Sequence, residues 1–118
     1  MSLATDVRKH YRFSPDQVEV VAIHEAAGLA CRLACFDPRL TLNADAIGDA
    51  IAMFYVLEGT GLFDSTDPPQ HVSAGGIVCK DPDNRLSIHN PGPSRLVVMM
   101  VCFLPPPPGE GRGEGISA

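Results

Sequence analysis

The stretch that decides the fold is Met53-Phe54-Tyr55-Val56-Leu57-Glu58-Gly59-Thr60-Gly61. Its first five residues are apolar, and two glycines one residue apart follow directly after Glu58. A short apolar run that ends at turn residues is typical of a buried β-strand. Glycine tolerates backbone angles that other residues avoid, so the sequence predicts a central strand over Ile51–Glu58 that enters a tight hairpin.

The rest of the chain repeats this pattern of short apolar runs between turn residues. No segment between two runs is long enough for the crossover helix that parallel strands require. Many short strands with frequent turn signals favour an antiparallel all-β sandwich or barrel, preceded by one short helix over 4–13. The other predicted strands are 18–24, Leu29–Phe36, 40–42, 62–63, a short one near Val72, 77–79, 85–89 and 96–104.

Length and composition predict a single domain over residues 1–104, of which 1–13 form an N-terminal extension. The chain has 118 residues, and 45% of them are hydrophobic, which is enough for one core. Residues 105–118 begin with four prolines and continue with alternating glycines. Prolines cannot pair in a sheet and glycines add nothing to a core, so a disordered tail is predicted there.

Charge and cysteine content exclude several function classes. The net charge is −5, with 9 basic and 14 acidic residues, whereas a nucleic-acid surface needs a basic stripe. No apolar run reaches the roughly 20 residues that span a membrane, and the first 12 residues lack the apolar region of a signal peptide. The four cysteines have apolar neighbours and no C-x-x-C spacing. We therefore expect a cytoplasmic protein with reduced thiols, no nucleic-acid partner and no membrane partner.

Residues 43–104 resemble the two conserved sequence motifs of the cupin superfamily. In the first motif, the closing glycine matches Gly59. In the second, Gly76 and Pro82 stand at the expected spacing, Asn84 replaces a glycine, and an asparagine follows at Asn90. The resemblance implies a cupin-type antiparallel jelly-roll β-barrel with a short N-terminal helical segment. It also suggests a homodimer that pairs through residues 18–23, since the edge strands of a small barrel must be covered.

The residues that bind a metal in most cupins are missing from these motifs. Counting back from Gly59 puts the glutamate position on Ala52, and the later histidine position falls on Ser87 or Leu86. The first two histidine positions fall on Ala46 and Gly48, or on Asp45 and Ile47. We therefore expect no metal and no other cofactor. A substitute site built from His89, Asp45 and Asp49 is the alternative, although metal sites need several convergent ligands.

Loss of the metal ligands predicts a small apolar pocket in the barrel that binds a small organic ligand. Ala52 and Phe54 share a strand face, and one of the two methionines Met99 and Met100 is expected beside them. Ser87 and His89 also share a face, which points inward if Pro82 sets the strand register and outward if Asn90 does. The predicted ligand-binding residues are Ala52, Phe54, Ser87, His89 and Met99.

Two function classes follow from this site. The first is a non-catalytic or regulatory binding protein, which needs only a pocket with a few polar groups. The second is an enzyme, either a metal-independent isomerase, epimerase or cyclase that uses His89 and Ser87 as its catalytic residues, or a metal-dependent cupin enzyme with atypical ligands. Two other polar residues are expected to be structural: Glu58 as a solvated turn carboxylate and Arg32 as an outward-facing residue on a sheet.

Overall fold

The computed structural model of the protein describes residues 4–43, 51–65, 68–81 and 85–103. These residues form one 3₁₀ helix and nine strands. The helix is Val7–His10, and the strands are β1 (Glu19–Ala26), β2 (Leu29–Phe36), β3 (Thr41–Asn43), β4 (Ile51–Glu58), β5 (Thr60–Asp64), β6 (Gln70–Ser73), β7 (Ile77–Lys80), β8 (Ser87–His89) and β9 (Leu96–Phe103).

The strands build two antiparallel sheets that face each other. The large sheet has the order β1-β2-β9-β4-β7, and the small sheet has the order β3-β8-β5-β6. The predicted jelly-roll fold class is confirmed, and so are the bounds of β2 and β4. The two sheets do not close into a continuous barrel among the described residues, because β7 ends one sheet and β6 ends the other.

The main core lies between the two sheets. Each strand sends alternate side chains inward, and β4 does so with Ala52, Phe54 and Val56. The ring of Phe54 meets the ring of Phe63 from the small sheet edge-on, with 6.4 Å between their centroids. This aromatic pair joins the two sheets within the core.

The outer face of the large sheet is apolar as well, and the N-terminal segment covers part of it. Leu33, Cys35 and Val97 are fully buried on this face. They pack against apolar residues of the segment, which are Val7, Tyr11 and Phe13. Strands buried on both faces read as continuous apolar runs rather than alternating ones, which explains the sequence of β2 and β9.

The turn at Gly59 differs from the predicted hairpin. Strands β4 and β5 flank it, yet they pair with different neighbours and belong to different sheets. Gly59 has a φ of 81°, and this left-handed residue carries the chain from the large sheet to the small one. The glycine signal predicted a turn correctly, but it did not show that the turn is a corner between sheets.

The remaining predictions differ from the structure mainly in length. The helix predicted over 4–13 is only the four-residue 3₁₀ helix. The predicted tail, 105–118, lies outside the described residues, so the domain limits stay a prediction. Within the described ranges, no helix is long and apolar enough to cross a membrane.

Candidate functional site

The buried residue Asn90 sets the register of β8. Its side-chain amide donates to the carbonyl oxygens of Phe36, at 3.2 Å, and Ser94, at 2.9 Å, and its Oδ1 accepts from the Gly92 amide at 2.8 Å. With this anchor, Ile88 points into the core and is fully buried. Its neighbours in the strand, Ser87 and His89, therefore lie on the outer face of the small sheet.

The structure does not bring the five predicted ligand-binding residues together. Ala52 and Phe54 lie in the packed core with 1% and 0% exposure. Met99 lies on the outer face of the large sheet, since Met100 is the methionine that points into the core. Ser87 and His89 lie on the far side of the small sheet. The five residues do not share one surface, because Ser87, His89 and Met99 lie on the outer faces of the sheets whereas Ala52 and Phe54 lie in the core. Ligand binding by any one of them stays a prediction.

The imidazole ring of His89 forms a hydrogen bond with the hydroxyl group of Thr41. The Oγ1 of Thr41 lies 2.7 Å from its Nδ1. Thr41, but not His89, borders an open groove of about 350 Å³ on the outer side of the small sheet, which is lined by Thr41, Asn43, Asp64, Ser65, Arg85, Leu86 and Ser87.

Arg32 and Glu58 occupy different environments from each other. Arg32 pairs with Met100 in the β2–β9 ladder, so it lies on the inner face, contrary to the predicted outward position. There its Nε donates to Glu25 at 2.9 Å.

Glu58 is exposed, as predicted, and accepts from the Tyr11 hydroxyl at 3.1 Å. Burial and this carboxylate together raise the pKa of Tyr11 to about 12.

Sequence reasoning missed Lys80, which is the most unusual residue of the inner face. It is only 2% exposed. It stands opposite Ala52 in the β4–β7 ladder, and Ala52 in turn stands opposite Cys102. The lysine therefore shares the inward face with two small side chains, which leave room for its long stem. The signal was available in the sequence as alternation, because Val78 points inward and Lys80 follows it two residues later.

A cavity of about 260 Å³ lies beside Lys80, and we call it the seam cavity. It opens where the sheets fail to close, between the edge strands β6 and β7. Apolar side chains supply part of its wall, and the polar residues Ser65, Gln70, Lys80 and Arg85 supply the rest. Its described lining consists of Phe63, Ser65, Pro68, Gln70, Ile77, Val78, Cys79, Lys80, Arg85 and Leu86.

Two cations of the inner face act on the buried thiol of Cys102. Burial raises the pKa of the Cys102 thiol, while the positive charges of Arg32 and Lys80 act in the opposite direction. Both cations therefore influence the same buried sulfur. Among the described residues that line the seam cavity there are two cations and no carboxylate.

Solved structures of other proteins share this architecture. A protein with a double-stranded β-helix domain from Klebsiella pneumoniae superposes with a TM-score of 0.77 at 16% identity, over 87% of this chain and 90% of that one. An RmlC-like cupin from Desulfovibrio desulfuricans gives 0.76 at 14% identity, over 87% and 97%. A Cupin 2 conserved barrel domain protein from Salinispora arenicola gives 0.70 at 14% identity, over 88% and 89%. The chain has the cupin fold.

At these identities the likeness covers the fold alone. No family model matches the sequence, and no curated protein matches it either. The cupin architecture expected from Gly59, Gly76 and Asn90 is therefore confirmed, and the chemistry must be argued from this chain's own side chains.

The described residues do not fit the metal that most cupins bind. Ala52, at the glutamate position, faces inward but has no donor atom, and Ser87, at the later histidine position, faces outward. The described part of the chain contains no group of three or more His, Cys, Asp or Glu side chains placed to hold a metal ion. Asp45 and Asp49, the other members of the alternative metal site, lie outside the described residues.

Proposed function

We propose that this cupin-fold protein is a non-catalytic or regulatory protein that binds a small organic molecule in the seam cavity. The observation that carries this proposal is the cavity of about 260 Å³ beside a buried lysine. Pockets that bind small molecules combine apolar walls with a few convergent polar groups. The seam cavity has both, with Phe63, Val78 and Leu86 among its walls and Lys80 as its most buried polar residue.

Packing in the core also favours the seam cavity as the binding site. Protein interiors pack densely, so space that the missing metal ligands would occupy must be refilled or held open. Here Phe54 and Phe63 are buried and meet edge-on in the core between the sheets. Among the described residues, a cavity that reaches core side chains such as Phe63 and Leu86 lies at the seam.

A metal-independent enzyme that uses His89 and Ser87 is the second candidate. It is favoured by the 2.7 Å contact between His89 and Thr41. General acid–base catalysis, however, gains most in a site that excludes water. The groove beside Ser87 is open and lies outside the core, so the geometry supports binding at the seam better.

We also propose a homodimer. Ile51, Ile77 and Phe103 are each more than half exposed and lie on the part of the outer sheet face that the N-terminal segment leaves uncovered. Ile51 and Phe103 are direct partners in the β4–β9 ladder. The positions beside them on this face, Met53, Cys79 and Val101, are uncharged, so a second copy related by a twofold axis meets a matching surface. The edge strand β1, which contains all but the first residue of the predicted interface 18–23, is the other candidate surface.

Binding at the seam is tested by NMR with an isotope-labelled protein and a mixture of small aromatic and aliphatic fragments. We expect shift changes at the amides of Gln70, Val78 and Leu86. The variant Gln70→Phe places a ring at the exposed rim of the cavity and should abolish them. The control His71→Phe changes the adjacent exposed residue of β6, which does not line the cavity, and should retain them. Shifts that cluster around Ser87 instead, or that survive in Gln70→Phe, would contradict the proposal.

A further inference from the structure

We infer that a second copy of this chain packs on the part of the large sheet's outer face that the N-terminal segment leaves bare, which we call the uncovered face. The twofold axis of this contact crosses the strands and brings β7 of one copy next to β7 of the other. The inference rests on the homodimer proposed above, because it gives the arrangement of that same contact. Three features of the described residues carry it: the composition of the face, its size, and the position of the N-terminal segment.

The outer faces of the two sheets differ in composition. That of the small sheet is mostly polar, as expected for a face in contact with water, and it presents Thr41, Thr60, Asp64, His71, Ser73, Ser87 and His89. The uncovered face has no Asp, Glu, Lys or Arg among its described residues. It contains Tyr55 and Ile77 and two rows of cross-strand partners, which are His24, Cys31, Val101, Met53 and Cys79, and Ala26, Leu29, Phe103 and Ile51. A contiguous apolar surface of this kind marks a contact site.

The net charge of the chain favours self-association through this face. The chain carries 14 acidic and 9 basic residues, which give a net charge of −5, so two copies repel each other where charged surfaces meet. The uncovered face brings no charged side chain of the described residues into contact. Ile51, Ile77 and Phe103 are each more than half exposed, and they leave water when two such faces meet.

The uncovered face is of the size that a small specific interface needs. It crosses all five strands of the large sheet and runs from Ile51 to Tyr55 along β4. With strands about 4.8 Å apart and residues about 3.4 Å apart along a strand, its flat area is roughly 500 Å². Protruding side chains raise the accessible area above this value, towards the about 600 Å² per partner at which specific interfaces begin.

The N-terminal segment determines how two uncovered faces can meet. It packs on Leu33, Cys35 and Val97, at one end of the strands, and projects from the sheet towards a facing copy. An axis parallel to the strands would put both N-terminal segments at the same end, where they would hold the sheets apart. An axis across the strands puts them at opposite ends, so the faces meet at the spacing of packed sheets, about 10 Å. Each residue of the row from His24 to Cys79 then lies opposite its own counterpart.

The cysteines of the chain allow a direct test of this arrangement. Cys79 is exposed on the edge strand β7, whereas Cys35 and Cys102 are buried. A short bis-maleimide added to the full-length protein at micromolar concentration should link Cys79 of one copy to the partner's Cys79 and give a covalent dimer on a denaturing gel. Cys79→Ser should reduce this product to background, and the matched control Cys31→Ser should retain it. Mass spectrometry of the linked peptides identifies both ends of the link.

The outcomes separate the arrangement from the homodimer itself. A wild type that is dimeric in light scattering but gives no link through Cys79 overturns the arrangement and keeps the homodimer. A link between Cys31 of one copy and the partner's Cys79 indicates an axis parallel to the strands and also overturns it. A link between the two Cys79 residues that persists undiminished in Phe103→Asp overturns the inference, because the uncovered face is then not required. A monomeric wild type contradicts both proposals. Ligand binding at the seam cavity is tested by the fragment titration alone, so its failure leaves this arrangement standing.

Discussion

Gly59 offers a sharp test of how the chain passes between the two sheets. In Gly59→Ala, the new Cβ would collide with the backbone carbonyl oxygen of Arg95 and lie 3.1 Å from the Cα of Leu96. The residue also has a φ of 81°, which costs an ordinary L-residue roughly 1–2 kcal/mol. Relieving the collision requires a backbone shift at the start of β9, which we place at about 1–3 kcal/mol more. The expected loss in the free energy of unfolding is therefore about 2–5 kcal/mol.

A matched control separates the two contributions. Gly28 has nearly the same φ, 80°, but a Cβ there would meet no atom within 4 Å. Gly28→Ala should therefore lose only the conformational part, roughly 1–2 kcal/mol. Urea unfolding of the wild type and both variants measures the difference directly, and thermal melts should follow at about 4 °C for each kcal/mol. If Gly59→Ala is no less stable than Gly28→Ala, the close approach of Gly59 to Arg95 is not a feature of the folded protein.

Four further predictions follow from single features of the structure. Ala52→Phe should lower the free energy of unfolding by about 1–3 kcal/mol in urea titrations, because Ala52 is 1% exposed between Lys80 and Cys102 and a larger side chain would overpack the core. If the variant is as stable as the wild type, there is free space beside Ala52. The pKa of Tyr11 is raised in the folded state from 10 to about 12, so its contribution to stability is full below pH 10 and is lost as the pH rises towards 12. Tyr11→Phe should therefore show a smaller loss of stability between pH 10 and 12 than the wild type, and equal losses would refute the link. In light scattering, Phe103→Asp should convert the dimer to a monomer, whereas Val20→Asp, on the edge strand β1, should leave the dimer intact. The reverse result would place the interface at β1. A monomeric wild-type protein would exclude both candidate interfaces. Metal analysis of purified, tag-free protein should find no stoichiometric iron, manganese, nickel or zinc, and one equivalent of any of them would revive the alternative ligand set around His89.

The sequence was sufficient to predict the strands because their signals are local. Apolar runs such as Leu29–Phe36 and Ile51–Glu58 end at turn residues, and the structure keeps their bounds. What these signals cannot specify is which strands pair. The turn at Gly59 was predicted as a hairpin, because a hairpin and a corner between sheets need the same left-handed glycine. Only the long-range ladders of β4 with β9 and of β5 with β8 distinguish them.

The faces of the strands were harder to predict than the strands themselves. Side chains alternate with a period of two, so one residue of uncertainty in register exchanges inside for outside. The two possible anchors for β8, Pro82 and Asn90, gave opposite answers for Ser87 and His89. The structure selects Asn90, whose buried amide joins the carbonyl groups of Phe36 and Ser94. Those partners are distant in sequence or hidden in a turn, and nothing in the local pattern reveals them.

Lys80 shows why the candidate site itself was not predicted. A lysine that follows three apolar residues is usually exposed to solvent, so the sequence predicts that the strand ends before Lys80. In the structure, the ladder between β4 and β7 includes one more pair, Ala52 with Lys80, and this pairing places the lysine on the inner face. Ala52 stands at the position where the cupin motif has its glutamate, and its small side chain leaves room for Lys80 beside it. Replacement of one acidic ligand position by alanine therefore does more than remove a metal contact, because the small side chain also lets the stem of a lysine pack on the inner face opposite it.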